Sequence, residues 1–214
     1  LAVKPQLMEE VCALFPRNDN PGNSSPHDES MQSKLFISIA AGIDSHRLHS
    51  MLGGKYPLVR TMPNTPSAVG KGLTGLFSDN ASNDQRSYTE TLFNMVGKTV
   101  WAEKEDQING VIAAAGSAPA YFFLFLEAMQ NKAQEFGFSA EDSRLMVQQA
   151  MAGAAEMVCK HPELELSELR TQVMSKGGTT AKAIEYFQAN NIEETISGAM
   201  QAAVDRAEEM AKLF

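Results

Sequence analysis

Basic charge, cysteine and long uninterrupted apolar runs are all scarce in this chain, and each scarcity narrows what it does. The 18 Lys and Arg stand against 26 Asp and Glu, giving a net charge of -8. No basic stripe is present for nucleic acid or an anionic membrane surface, and both need one. The two cysteines, Cys12 and Cys159, lie far apart in the chain with no CxxC or Cys/His spacing. That excludes a disulfide scaffold and a zinc cluster, and suits separate thiols in a reducing compartment. His46 and His49 are three apart on a predicted helix, but nothing supplies a third or fourth ligand, so they read as a surface pair and no metal site is expected. No nucleophile–His–acid arrangement is recognisable either. A basic region followed by an apolar run and a small-residue cleavage site is missing from the start of the chain, so the expected location is cytoplasmic.

The most apolar stretch, Ile108 to Gln130, falls short of a membrane span because Gly116, Ser117 and Pro119 cut it and Glu127 charges it. It reads as two helices broken at Gly116-Ser117. Ser117 is placed to cap the second helix and Pro119 fits its first turn, where no N–H is required. In that helix Phe122, Phe125, Leu126 and Met129 share one face, while Phe123 and Leu124 make the other face apolar as well. A helix apolar all round must be covered all round. Either a second subunit covers it, or it is the central core helix of a monomer.

Taken in order, Leu1 to Val3 reads as a strand end, Gln6 to Phe15 as a helix with Leu7, Val11 and Leu14 on its inner face, and Pro16 to Gln32 as a solvated loop. Strands are predicted at Lys34 to Ala41, Leu58 to Met62, Gly72 to Ser78 and Lys98 to Ala102. Helices are predicted between them, the first capped by Asp44 and the next spanning Ser82 to Met95. This alternation predicts a parallel α/β sheet of the nucleotide-binding kind. After Glu103 every segment has helical period. The predicted organisation is therefore an α/β domain over residues 1–102 and an all-helical domain over 103–214, with one helix capped by Ser139 and later ones over Ala181 to Gln188 and Glu193 to Phe214.

Three motifs remain. Gly70-Lys71-Gly72-Leu73-Thr74-Gly75 spells the dinucleotide fingerprint, but it follows a Pro-rich loop and precedes a strand instead of opening a helix, so it reads as a glycine-rich turn. Met62-Pro63-Asn64-Thr65-Pro66 fixes an irregular backbone just past the C-terminal end of a strand, the edge where open α/β sheets bind ligands; a plain rigid turn is the alternative. Ser175-Lys176-Gly177-Gly178-Thr179-Thr180 precedes a helix. Its glycines allow a concave backbone whose N–H groups suit a carboxylate or phosphate, whereas simple capping by a threonine would not need both glycines.

Together LAVKPQ, ISIAAGI, MPNTPSAVG, GSAPAYFFLFLEA and SKGGTT resemble the pyrroline-5-carboxylate reductases, in this order and across essentially the whole chain. The resemblance implies a Rossmann-type sheet followed by a helical dimerisation domain that interlocks with a second subunit. It implies reduction of the C=N bond of pyrroline-5-carboxylate to proline with NADPH or NADH. It also implies that a βαβ portion of about sixty residues with the true glycine fingerprint precedes LAVKPQ, which accounts for a first residue other than Met. By resemblance, Ala2, Val3, Lys4 and Pro5 lie along the cofactor, Ile39, Ala40 and Ala41 lie near its nicotinamide, and Pro63 and Asn64 line the same cleft. Ser175, Gly177, Gly178, Thr179 and Thr180 hold the substrate's carboxylate and ring nitrogen, with Lys176 standing where many members have proline.

On this reading the nicotinamide supplies hydride, and the protein orients and polarises the imine. Thr180 is the expected hydrogen-bonding partner of the ring nitrogen, and dimerisation is expected to build the substrate site. The rival readings are a related imine or 3-hydroxy acid dehydrogenase of the same architecture, and a catalytically inactive dimeric nucleotide sensor.

Overall fold

A computed structural model describes residues 1–15 and 33–213. The predicted loop at Pro16 to Gln32 lies outside the described residues. By contacts the chain forms two compact units, one of residues 1–119 with 200–214 and one of residues 120–199.

The first unit is built on a four-stranded sheet in the order β1 (Phe36–Ser38), β2 (Leu58–Met62), β3 (Gly72–Phe77), β4 (Gly97–Trp101). It is mixed. β1 and β2 are parallel, as are β3 and β4, but β3 runs antiparallel to β2. Connection length explains this. Helices α2 (Ser45–Leu52) and α3 (Asn83–Asn94) provide the crossovers that parallel pairing needs, whereas residues 63–71 hold only a 3-10 turn and can do no more than reverse the chain. Strand β1 is shorter than the predicted Lys34 to Ala41. Leu1 extends its edge, donating its backbone N–H to the carbonyl of Ile37 at 2.7 Å and accepting from the N–H of Ile39 at 3.1 Å.

Asp44 caps α2 through the backbone N–H of Arg47 at 2.7 Å, and Gly53 ends that helix in the left-handed region. Ser82 and Gln85 form a reciprocal capping box at the start of α3. The helix expected over Gln6 to Phe15 is shorter and turned. Pro5 opens a 3-10 turn over Pro5–Leu7, and only Met8–Cys12 (α1) is α-helical. The change of pitch brings Met8 and Cys12 fully into the core, and it leaves Leu7 and Leu14 exposed where the expected inner face had them. Phe36 is the centre of that core, with the rings of Phe15 and Tyr56 at 5.4 and 5.5 Å.

The apolar stretch is interrupted at Gly116-Ser117, as expected, but by a π turn and a bend that keep the chain on a helical course. Helix α4 (Gln107–Val111) passes through a π turn at Ile112–Gly116 into α5 (Ala118–Glu135). Ser117 lies between them as a bend with right-handed helical backbone angles, and its backbone N–H reaches the carbonyl of Ile112 at 2.8 Å. Pro119 is the cause, since it cannot donate to Ala115 and its ring would press on that carbonyl; one residue of extra turn relieves both. By length and composition Gln107–Glu135 would suffice to cross a membrane.

In the second unit α5 ends at Glu135 in a turn through Gly137, and Ser139 caps α6 (Ala140–Lys160) by accepting from the N–H of Asp142 at 3.0 Å. The helices α7 (Leu166–Gln172), α8 (Thr179–Ala189) and α9 (Ile192–Leu213) follow. Residue Asn191, just before α9, takes a left-handed backbone that turns the chain.

Candidate functional site

Because Leu1, β1 and β2 run the same way, the segments that leave them share one edge of the sheet. Ala2 to Pro5, Ile39 to Ala41 and Pro63-Asn64 lie together along it. The turn after β1 is held internally. The Ser38 hydroxyl accepts from the N–H of Ala40 at 3.3 Å, and the Thr61 hydroxyl donates to the Ser38 carbonyl at 3.1 Å. Gly42 then takes a φ of +75°, and a β-carbon there would sit 3.4 Å from the backbone of Met210 in α9. Ile39 and Ala2 are exposed, Ala41 is half-buried and Ala40 is buried.

The donor set at this edge suits a flat anionic dinucleotide. Ala2, Ala40, Ala41 and Gly42 leave room for close approach, the only ionisable side chain in these segments is the exposed Lys4, and no carboxylate is present to repel phosphates.

Asn64 has a different position from the rest. In the antiparallel register Met62 faces Gly75, so Asn64 falls opposite Leu73, where β2 has already ended. Its side-chain oxygen accepts from the Leu73 N–H at 2.9 Å, replacing the missing strand partner. Its side-chain nitrogen donates to the Ala115 carbonyl at 3.0 Å, the acceptor that Pro119 leaves without a helical donor. Both ends of the amide are therefore engaged within the protein.

The glycine pattern at 70–75 serves packing. Gly70 ends the 3-10 turn in the left-handed region, and Gly72 and Gly75 lie inside β3. A β-carbon would come within 2.1 Å of the Ser67 hydroxyl at Gly72 and within 2.8 Å of Val111 at Gly75.

In the second unit, the segment 175–180 forms a tight turn. The Gly178 N–H donates to the Ser175 carbonyl at 2.9 Å, and Gly177 takes a φ of +73°. Gly178 is the N-cap of α8, and no side chain caps that helix. The first-turn N–H groups therefore lack a side-chain acceptor, and Thr179 is exposed and Thr180 half-exposed beside them. A β-carbon on Gly178 would lie 2.2 Å from the Ser175 hydroxyl and 3.2 Å from its carbonyl oxygen, so a larger residue there would have to turn the Ser175 side chain away. This is a concave, uncapped helix start of the kind that binds a carboxylate.

A buried polar cluster escaped the sequence reading. Arg60, in the fully buried β2, pairs with Glu105 at 2.5 Å, and the same carboxylate oxygen accepts from the N–H and hydroxyl of Ser45 at 2.7 and 2.8 Å. It ties β2 and the start of α2 to the segment leading into α4. The clue was an arginine inside a strand buried on both faces, which requires a carboxylate partner. The pair at His46 and His49 divides, with His46 exposed and His49 buried near Asn80.

Comparison with known proteins decides the family. A family model described as pyrroline-5-carboxylate reductase dimerisation matches residues 105–210. The pyrroline-5-carboxylate reductase of Vibrio alginolyticus is 52% identical over 215 residues, covering 100% of this chain and 75% of that protein. This chain belongs to the pyrroline-5-carboxylate reductase family. The pyrroline-5-carboxylate reductase of Haemophilus influenzae is 46% identical with the same coverage of both. Among solved structures, the pyrroline-5-carboxylate reductase of Coxiella burnetii superposes with a TM-score of 0.88 at 36% identity, over 99% of this chain and 74% of that one. The Plasmodium falciparum pyrroline carboxylate reductase with NADP bound superposes with a TM-score of 0.82 at 29% identity, over 98% and 75%. Pyrroline-5-carboxylate reductases are NAD(P)H-dependent oxidoreductases of proline biosynthesis, and the mixed sheet followed by a helical dimerisation domain is their fold.

Proposed function

We propose that this chain reduces the C=N bond of 1-pyrroline-5-carboxylate to give L-proline, with NADPH as the hydride source, as a cytoplasmic homodimer or higher homo-oligomer. Residues 1–102 carry the nucleotide side and residues 103–214 the dimerisation and substrate side. The observation that carries the reading is the uncapped, double-glycine start of α8, which presents free N–H groups and two threonine hydroxyls to a small anion. NADPH over NADH is supported by the NADP-bound relative from Plasmodium falciparum.

When bound, the reduced nicotinamide supplies a hydride. The edge formed by Ala2 to Pro5, Ile39 to Ala41 and Pro63 holds the dinucleotide through small side chains and backbone, and Lys4 offers its phosphates a positive charge. The turn of Ser175, Gly177, Gly178 and Thr179 takes the substrate carboxylate, which fixes the ring's orientation. The Thr180 hydroxyl donates a hydrogen bond to the ring nitrogen, stabilising the more electrophilic imine without acting as a strong acid.

A second copy accounts for the surface of the second unit. Phe123 is 63% exposed and Leu124 68%, with Phe122, Phe125 and Met129 exposed on the same helix. Beside them, an apolar groove of about 830 Å³ lies between α5 and α6, lined by Phe123, Leu124, Val147 and Met151. Exposed apolar area on this scale marks an interface.

Steady-state kinetics of Thr180→Ala test the assignment of the substrate turn. Loss of a hydrogen bond to a developing charge predicts a kcat lower by roughly tenfold to a hundredfold. Kinetics equal to wild type would remove Thr180 from the reaction.

A further inference from the structure

We infer that Asn64 is a positioning residue for hydride transfer, acting through the Ala115 carbonyl and touching neither cofactor nor substrate with its side chain. The inference rests on the cofactor edge proposed above, since what Asn64 holds in place is the Pro63 backbone at that edge. Three observations carry it. The side-chain oxygen takes the Leu73 N–H at 2.9 Å, at the register position where β2 would otherwise continue. The side-chain nitrogen gives its proton to the Ala115 carbonyl at 3.0 Å, in the middle of the π turn. The usual i+4 donor to that carbonyl is missing because residue 119 is proline, and the π turn itself is closed by the Ser117 N–H on the Ile112 carbonyl at 2.8 Å.

One amide therefore joins three segments: the loop leaving β2, the first residues of β3, and the π turn from which α5 starts. With its oxygen on Leu73 and one N–H on Ala115, the amide is fixed in orientation by the protein at both ends. What it sets is the distance between the Pro63 backbone and the π turn. Because π turns are one residue from ordinary α-helix, this distance has two discrete settings. Asn64 and Pro119 hold the π setting from opposite sides of the same carbonyl.

Two substitutions probe it from those two sides. Asn64→Asp keeps an acceptor for Leu73 but turns a donor at Ala115 into a repelling oxygen. Pro119→Ala leaves the strand edge untouched and supplies a competing N–H to the same carbonyl. Each is expected to lower kcat with pyrroline-5-carboxylate about tenfold or more while the KM for NADPH stays within about twofold. The double variant is expected to lose little beyond either single one, because both break one linkage. Hydrogen exchange reports the structure independently of turnover. The Leu73 amide stays protected in Asn64→Asp, which shows that the sheet is intact, while protection over residues 112–118 changes in both variants.

An NADPH KM raised tenfold with unchanged kcat in Asn64→Asp would make Asn64 a direct cofactor ligand and overturn the inference. So would a Pro119→Ala enzyme with wild-type kcat. The cofactor edge itself is tested separately in the wild-type protein, where NADPH should slow exchange at residues 39–42. Absence of that protection would remove the edge assignment whatever the variants do.

Discussion

The α-carbon of Gly97 lies directly over the backbone of Gly72, so close that a β-carbon on residue 97 would stand 2.0 Å from the Gly72 carbonyl oxygen. The two glycines face each other as the first pair of the β3–β4 ladder. Neither backbone can yield without breaking that ladder.

Gly97→Ala is therefore expected to destabilise the first unit by about 3 kcal/mol, the upper end of overpacking costs. Gly110→Ala, in α4 with nothing within 4 Å, should instead stabilise by up to about 1 kcal/mol. Denaturant unfolding followed by Trp101, the single tryptophan, which stacks under Arg86 at 3.8 Å, reads both. Equal midpoints for the two variants would show that the 72/97 approach is not close.

His49 gives the fold an acid sensitivity. Burial lowers its pKa below the ordinary histidine value, Lys55 adds to this, and Asp79 and Glu105 oppose it. The unfolded chain therefore binds a proton at His49 more readily than the folded one. Its contribution is fully present above about pH 6.5 and is lost as pH falls below that. Thermal midpoints from pH 7.5 down to 5.5 should fall in wild type and fall less in His49→Gln. Parallel curves would assign the acid sensitivity elsewhere.

The exposed apolar faces of α5 predict a charge-sensitive interface. Leu124→Glu replaces a side chain that is 68% exposed in one chain, so the isolated chain should lose little stability, while association should be lost or weakened at least a hundredfold. Sedimentation or light scattering measures this. A Leu124→Glu protein with the wild-type mass would exclude α5 from the interface.

Where local chemistry decides structure, the chain could be read directly. Asp44 and Ser139 cap helices as their side chains predict, and β2 to β4 fall within a residue or so of their apolar runs. What escaped depended on partners distant in sequence. Pro119 beside Ser117 reads as a helix start, and the π turn that precedes that start is met by Asn64, 51 residues away from Ala115. The direction of β3 likewise follows from the reach of residues 63–71 and not from any residue in the strand. Glu105 gives no local sign that it will meet Arg60 and Ser45. At the site, the helix that starts at Thr179 and the left-handed Gly177 before it were legible because both follow from local residues.

The central claim is the reaction, and the most direct measurement follows NADPH oxidation together with product when the enzyme is given 1-pyrroline-5-carboxylate, with a small 3-hydroxy acid and NADP tested in reverse. The account predicts one proline formed per NADPH consumed and no turnover of the hydroxy acid. An enzyme that binds NADPH and forms no proline, or that oxidises the hydroxy acid instead, would contradict it.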